Sequence, residues 1–245
     1  MELHSIEYDC AGTVLTGYLA VPDVVDPVAG VLVAHEATGM NDHVKSRARA
    51  LAHQGYAAFA LDLYGTTGFP RAEAEARTAH LMETPGLLLD RAMAALRTLE
   101  QQPAVDADRL GAIGFCLGGI TALELARAGA QIKCAIGFHP GLVRPTISPD
   151  GPITAKVLMM SGSEDPHAPE NLRARFADEM SAKGADWQLH LFGGVGHTFT
   201  DPMIDALNIP GFGYDANADH RSWTMALSLL SETLRHRSSE STESR

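Results

Sequence analysis

Six residues, Gly114-Phe115-Cys116-Leu117-Gly118-Gly119, constrain this chain more than any others. The apolar run 108–115 reads as a buried strand, and the pattern over 118–128 reads as a helix. A cysteine therefore sits on a sharp strand-to-helix turn. Such a turn forces its central residue into a strained backbone conformation, and small neighbours let other chain segments pass close by. The turn lifts the sulfur above the sheet edge. The Leu117 N–H falls at the start of the next helix, where it can hold an oxyanion. The same helix terminus favours a thiolate. With 23 Gly and 3 Cys in 245 residues, this pattern is expected by chance roughly 0.003 times in such a chain. The alternative is a small buried cysteine that only packs helix on sheet.

Elsewhere, short apolar runs alternate with helical patterns, which predicts an α/β fold with a mostly parallel sheet and helices on both faces. Predicted strands cover 30–34, 56–61, 108–115, 132–138, 156–161 and 187–192. Predicted helices cover 41–53, 71–82, 86–99, 118–128, 169–183 and 218–235. The start differs. Residues 5–8 and 14–21 flank a polar, Gly-containing turn at 9–12, so an antiparallel hairpin is expected at one edge. No 20- to 50-residue period repeats, and no linker separates two cores. One domain over 1–237 is expected, followed by a polar tail at 238–245 without apolar residues, expected to be disordered.

Composition narrows the partners. Nineteen Lys and Arg stand against 30 Asp and Glu, a net charge of −11. Such a surface repels phosphate backbones and anionic lipid, so neither nucleic acid nor a membrane is an expected partner. No apolar run approaches the roughly 18 residues of a membrane span. Residues 1–10 lack the apolar stretch of a signal peptide. Three cysteines cannot all pair and none forms a C-x-x-C motif, which predicts free thiols in a reducing cytoplasm.

A thiol nucleophile needs a base, and the base needs an orienting acid. The turn resembles the nucleophile elbow of α/β-hydrolases, where nucleophile, acid and histidine follow in that order. After the strand 156–161 comes Gly162-Ser163-Glu164-Asp165-Pro166. Asp165 is the candidate acid, with Glu164 as the alternative. After the last strand comes Gly193-Gly194-Val195-Gly196-His197, whose glycines let His197 reach back over the sheet. His167 lies near Asp165 and could compete. His35 and His139 end strands and could line the pocket. His4, His43, His53, His80, His190, His220 and His236 fall in helices, strands or termini and read as surface or structural.

Together these segments resemble the dienelactone hydrolase family. The likeness rests on GFCLGG at the nucleophile, GSEDPHAP around the acid and GGVGHTF around the histidine. It extends to QGYAAFALDLYG, to His35-Glu36 with Gly39 and Asn41, and to Ala218-Asp219 with Arg221-Ser222-Trp223. The resemblance implies an α/β-hydrolase fold and a Cys116–His197–Asp165 triad without metal or cofactor. It implies a small-molecule ester or lactone as substrate, and a monomer or weak homodimer. The backbone N–H groups of Ala37 and Leu117 would form the oxyanion hole. In the family the glutamate at Glu36 sits beside the thiol and takes part in activating it. A carboxylate there raises the thiol pKa at rest.

One position departs from the family. Its well-studied members hold the substrate carboxylate with arginines, one of them four residues after the catalytic histidine. Asp201 stands there in this chain and would repel an anion. Arg71 or Arg77 could supply the family's other arginine. Phe199, Asp201 and Phe212 are further pocket candidates. The stretch 201–214, with Met203, Ile204, Phe212 and Tyr214, forms either a pocket wall or a cover for the sheet. The rival readings are an inactive binding or regulatory protein on the same scaffold, a redox-sensing thiol, which lacks an obvious resolving cysteine, and a peptidase or amidase.

Overall fold

Among the described residues, eight strands form one twisted sheet in the order β1-β2-β4-β3-β5-β6-β7-β8. The computed structural model describes residues 1–147 and 149–235. The tail 238–245 lies outside the described residues. The hairpin β1 (Leu3–Cys10) and β2 (Thr13–Ala20) pairs antiparallel around Ala11 and Gly12, both at positive φ. β2 also runs antiparallel to β4 (Ala57–Leu61). From β4 onward, through β3 (Val28–Ala34), β5 (Val105–Phe115), β6 (Cys134–Phe138), β7 (Lys156–Gly162) and β8 (Trp187–Phe192), every pairing is parallel.

Two apolar layers cover the sheet, as side chains alternating with period two require. Leu110 and Ala112 of β5 and Val157 and Met159 of β7 face one core. They meet α3 (Leu87–Glu100), α4 (Leu117–Arg127) and α5 (Glu170–Ala182). Ile113 and Phe115, with Leu158 and Met160, face the other core, against α1 (Asp42–His53) and α6 (Ala216–Leu234). Asn41 caps α1 by accepting from the Val44 N–H at 3.0 Å. Asp215 caps α6 by accepting from the Ala218 N–H at 2.7 Å. Each cap satisfies an N–H that the first helical turn leaves free.

Most element ends shift by a residue or two from the sequence expectation, and three of the shifts have a local cause or a change of helix type. β5 begins at Val105, not at residue 108, because the chain bulges there: its pairing with β3 jumps from Ala29↔Asp106 to Gly30↔Leu110. Asp106 closes the bulge by accepting from the Asp108 N–H and from Arg109 Nε. The predicted helix 71–82 opens as a 3-10 turn, Arg71–Glu73, before α2 (Ala74–Glu83). β6 starts at Cys134 rather than residue 132.

Strand order reverses between β3 and β5, since β4 lies to one side of that pair and β6 to the other. This switch point leaves a crevice outside the carboxyl ends of the two strands, where open α/β sheets bind ligands. Cys116 follows β5 directly, and Glu36 and Ala37 follow β3.

Candidate active site

Cys116 holds φ 51° and ψ −111° at the head of α4. An L-residue adopts positive φ only under local compulsion. The compulsion comes from both flanks. A Cβ on Gly114 would lie 2.0 Å from the Gly118 carbonyl oxygen, and one on Gly118 would lie 2.1 Å from the Ala34 carbonyl oxygen. The elbow closes only where neither position carries a side chain. The Cys116 N–H donates to the Phe138 carbonyl at 3.0 Å, tying the turn to β6.

His197 reaches this point from the loop after β8. Its own N–H donates to the Gly211 carbonyl at 2.7 Å, and its carbonyl accepts from the Gly213 N–H at 3.0 Å. The stretch 209–214 thus braces the histidine backbone from outside. His197 Nδ1 lies 2.8 Å from Asp165 Oδ2, and both side chains are buried. Asp165 Oδ1 accepts from the His167 N–H at 2.8 Å, which leaves Oδ2 for the ring. With Nδ1 committed to the carboxylate, the buried Nε2 makes no hydrogen bond of regular geometry and is left for Cys116, whose side chain acts on the ring. Burial opposes the imidazolium, but Cys116 and the Asp165 hydrogen bond outweigh it and raise the His197 pKa to about 10.

Three more aromatic rings surround His197. His139 packs edge-on at 5.0 Å, His167 at 4.7 Å and Phe212 at 4.9 Å between centroids. His139 is fully buried and donates to or accepts from Thr200 Oγ1 at 2.8 Å. Burial and the neighbouring His197 charge push its pKa well below the usual value, so it stays neutral behind His197. Burial and His197 also lower the pKa of His167.

On the β3 side, the loop is held from beneath. His35 Nε2 accepts from the Leu63 N–H at 3.0 Å, so its proton sits on Nδ1, which donates to the Glu36 carbonyl at 2.6 Å. Tyr64 donates its hydroxyl to the Ala37 carbonyl at 3.0 Å. Both bonds orient the peptide planes around Ala37. The Glu36 side chain points into the site and is largely buried. Burial and the Asp201 charge raise its pKa to about 7, against the pull of His197, Arg71 and Arg47.

All of this opens on one cavity of about 860 Å³. Glu36, Ala37, Cys116, Leu117 and His197 lie along its wall, and so do Arg71, Asp201 and Phe212. Asp165 stands behind His197. Glu164 is exposed and does not meet the imidazole, and His167 lines the cavity beside His197 instead of replacing it. Four expected pocket residues lie elsewhere. His35, His139 and Phe199 are sealed beneath the wall, where they pack under backbone and rings. Arg77 pairs with Glu73 at 2.9 Å and covers the Phe69 ring, which turns its charge away. The stretch 201–214 supplies wall through Met203, Ile204, Leu207 and Phe212. Part of it, Pro202–Leu207, is a 3-10 helix that Asp201 caps through the Met203 N–H at 3.0 Å.

His43 belongs to this neighbourhood although its place on α1 reads as surface or structural. Its ring packs edge-on against Phe115 at 4.8 Å, and Nδ1 lies 3.6 Å from Glu36 Oε1. Among the described residues, Glu36, His43 and Asp201 have potential metal-ligand atoms within 4.8 Å of one another. Their surroundings disfavour a cation. Arg47 Nε donates to His43 Nε2 at 3.2 Å, so the imidazole proton occupies Nδ1, the atom facing the carboxylates. Arg47 and Arg71 add positive charge close to Glu36.

Among the described residues, no helix is long and apolar enough to cross a membrane. A family model described as the dienelactone hydrolase family matches residues 15–234. The fold is similar to the crystal structure of "Dienelactone Hydrolase-like Promiscuous Phosphotriesterase P91" from metagenomic libraries. The TM-score is 0.91 at 38% identity, over 96% of this chain and 99% of that one. A structure titled "m3DLH" gives 0.89, also at 38% identity and with the same coverage. A Bradyrhizobium protein named "Probable 2-oxo-3-(5-oxofuran-2-ylidene)propanoate lactonase" is 34% identical over 204 residues, spanning 77% of this chain and 80% of that protein. The chain therefore belongs to the dienelactone hydrolase family, within the α/β-hydrolase superfamily.

Proposed function

We propose that this protein hydrolyses a small carboxylic ester or lactone through a thioester on Cys116. The observation that carries the reading is the arrangement around His197: Nδ1 held by Asp165 at 2.8 Å, and an Nε2 without a regular hydrogen bond in the cavity that Cys116 enters. Family membership supports carboxylic-ester or lactone hydrolysis in general, and the residue roles below are our own reading.

The Cys116 thiolate attacks the acyl carbon. The Leu117 and Ala37 N–H groups hold the tetrahedral oxyanion. The His197 imidazolium, kept charged by its surroundings, gives its Nε2 proton to the departing alkoxide or enolate. The now neutral His197 then takes a proton from water, and hydroxide addition to the thioester releases the acid and restores the thiolate–imidazolium pair. A lactone suits this sequence, because its expelled oxygen stays tethered to the acyl group.

The wall charges favour a neutral acyl group. Apart from the Cys116–His197 pair itself, Glu36, Glu75 and Asp201 stand against one arginine, Arg71. The apolar Ala74, Ala79, Met82, Ile120 and Ile204 would take its carbon skeleton. A second reading follows from the likeness to the phosphotriesterase P91: a neutral phosphotriester would meet the same thiolate and the same amides. Localisation in a reducing cytoplasm suits a free thiol nucleophile and is part of the same proposal.

The test is turnover of neutral aryl esters and lactones by wild type and Cys116→Ala. The proposal expects hydrolysis that the alanine variant loses by at least about 10³-fold. Undiminished turnover in Cys116→Ala would remove it.

A further inference from the structure

Two buried polar atoms beside the site face each other without a bond. Glu36 Oε1 and His43 Nδ1 are each shielded from solvent, neither has a hydrogen-bond partner, and they lie 3.6 Å apart. That gap exceeds a hydrogen bond by well under one side-chain adjustment. Which group carries the proton follows from a third residue. Arg47 cannot accept, so its Nε bond at 3.2 Å makes His43 Nε2 the acceptor and places the imidazole hydrogen on Nδ1. Arg47 is itself fixed. It donates to the Thr200 carbonyl at 2.9 Å and to Asp219 at 2.6 Å, and its guanidinium lies over the Trp223 ring. A line of contacts thus runs from Asp219 on α6 through Arg47 and His43 on α1 to Glu36 after β3.

We propose that His43 is a positioning residue for Glu36, its Nδ1–H serving as the receptor that draws the carboxylate out of the cavity toward α1 and away from Cys116. Glu36 lines the cavity and His43 does not, so engagement moves the negative charge out of the reaction space. The inference rests on the reading of Cys116 as nucleophile. It adds a contact that sets whether the Glu36 carboxylate lies in the cavity that Cys116 also lines.

Other groups act on this pair. Asp201, His197, Arg71 and Arg47 face Glu36, while Arg47, Asp201 and His139 face His43. Burial and the Arg47 charge lower the His43 pKa to about 4, so His43 acts near neutral pH as an uncharged N–H donor. Glu36 is the group that titrates, with its pKa raised to about 7. A carboxylate that loses a donor becomes harder to ionise, so removing the Nδ1–H raises that pKa further.

The experiment follows Cys116 alkylation by iodoacetamide from pH 5 to 9, with kcat/KM for a neutral aryl acetate alongside. The proteins are wild type, His43→Phe, His43→Asn, Glu36→Gln and the Glu36→Gln/His43→Phe double variant. Phenylalanine keeps the packing against Phe115 but has no N–H, and asparagine restores an N–H near the Nδ1 position. Wild type should show an inflection near pH 7. His43→Phe should move it up by about one pH unit, and His43→Asn should return it toward wild type. In the Glu36→Gln background the inflection should vanish, and His43→Phe should add nothing. A His43→Phe profile that superimposes on wild type overturns the proposal, as does an equal His43→Phe effect with Glu36 absent. The alkylation profile does not depend on turnover. Retained hydrolysis in Cys116→Ala would therefore count against the catalytic reading and leave the Glu36–His43 coupling separately measured.

Discussion

The Cα of Gly118 is seated so tightly against the end of β3 that a Cβ there would lie 2.1 Å from the Ala34 carbonyl oxygen. The opposing group is backbone and cannot rotate aside. Gly118→Ala should separate α4 from β3, costing about 3 kcal/mol or more of stability. It should also misplace the Leu117 N–H and lower kcat/KM by at least about 10²-fold. Urea unfolding and steady-state kinetics check both effects, and near-wild-type stability would show that the elbow tolerates a side chain.

Asp165 should set the alkaline limit of activity. The folded His197 pKa of about 10 lies above the ordinary 6.5. The stabilisation from its imidazolium is therefore complete below about 6.5 and is lost as pH rises through about 10. Asp165→Asn removes one of the two main supports. The alkaline limb of kcat/KM should move down toward neutral pH, and the rate should fall by about 10²- to 10⁴-fold. An unmoved limb would detach Asp165 from this role.

Glu36 should weaken the fold at alkaline pH. Its folded pKa of about 7 exceeds the ordinary 4.5 because burial disfavours the charge. The folded state therefore binds more protons than the unfolded chain between those values, and stability falls as pH rises from about 4.5 through 7. The cost at pH 8 is about 3 kcal/mol relative to pH 4.5. Glu36→Gln should abolish this part of the pH dependence in urea unfolding. Parallel curves for the two proteins would contradict the assignment.

Asp201 should discriminate against anionic substrates. In Asp201→Arg, the ratio of kcat/KM for a carboxylate-bearing ester to that for its neutral analogue should rise by about tenfold or more. The same change removes the cap on Pro202–Leu207 and should cost about 1 kcal/mol of stability, so Asp201→Asn is the variant that separates charge from capping. An unchanged ratio would place the selectivity elsewhere.

The parts of the candidate site that lie on chain reversals are legible in the sequence as positions. Cys116, Asp165 and His197 each follow a strand, and glycines mark the backbone that must turn sharply beside them. The walls are not. His35 and His139 also end strands, but the rings of Tyr64 and His197 pack against them, tilted and edge-on, and help seal them in, a fact of tertiary packing that no local pattern encodes. His43 was missed because the periodicity of α1 shows that a face is buried, not that it abuts Glu36. Asn41 and the short turn before it aim that face. The 3-10 helix Pro202–Leu207 is too short and too aperiodic for a sequence signal, although Asp201 followed by Pro202 was a usable cap-and-start hint. The bulge at residues 107–109 hid the first residues of β5, because 105–107 look like loop when read without the hydrogen bonds that Asp106 accepts from Asp108 and Arg109.

The central claim is that the Cys116 sulfur carries the acyl group. Its most direct measure is rapid mixing of the protein with a neutral aryl acetate, acid quench within the first turnover, and peptide mass spectrometry. The account predicts a burst of the aryl alcohol equal to the enzyme concentration and one acetyl group on the peptide containing Cys116. A burst with the acetyl group on another residue, or turnover without any adduct on that peptide, would contradict it.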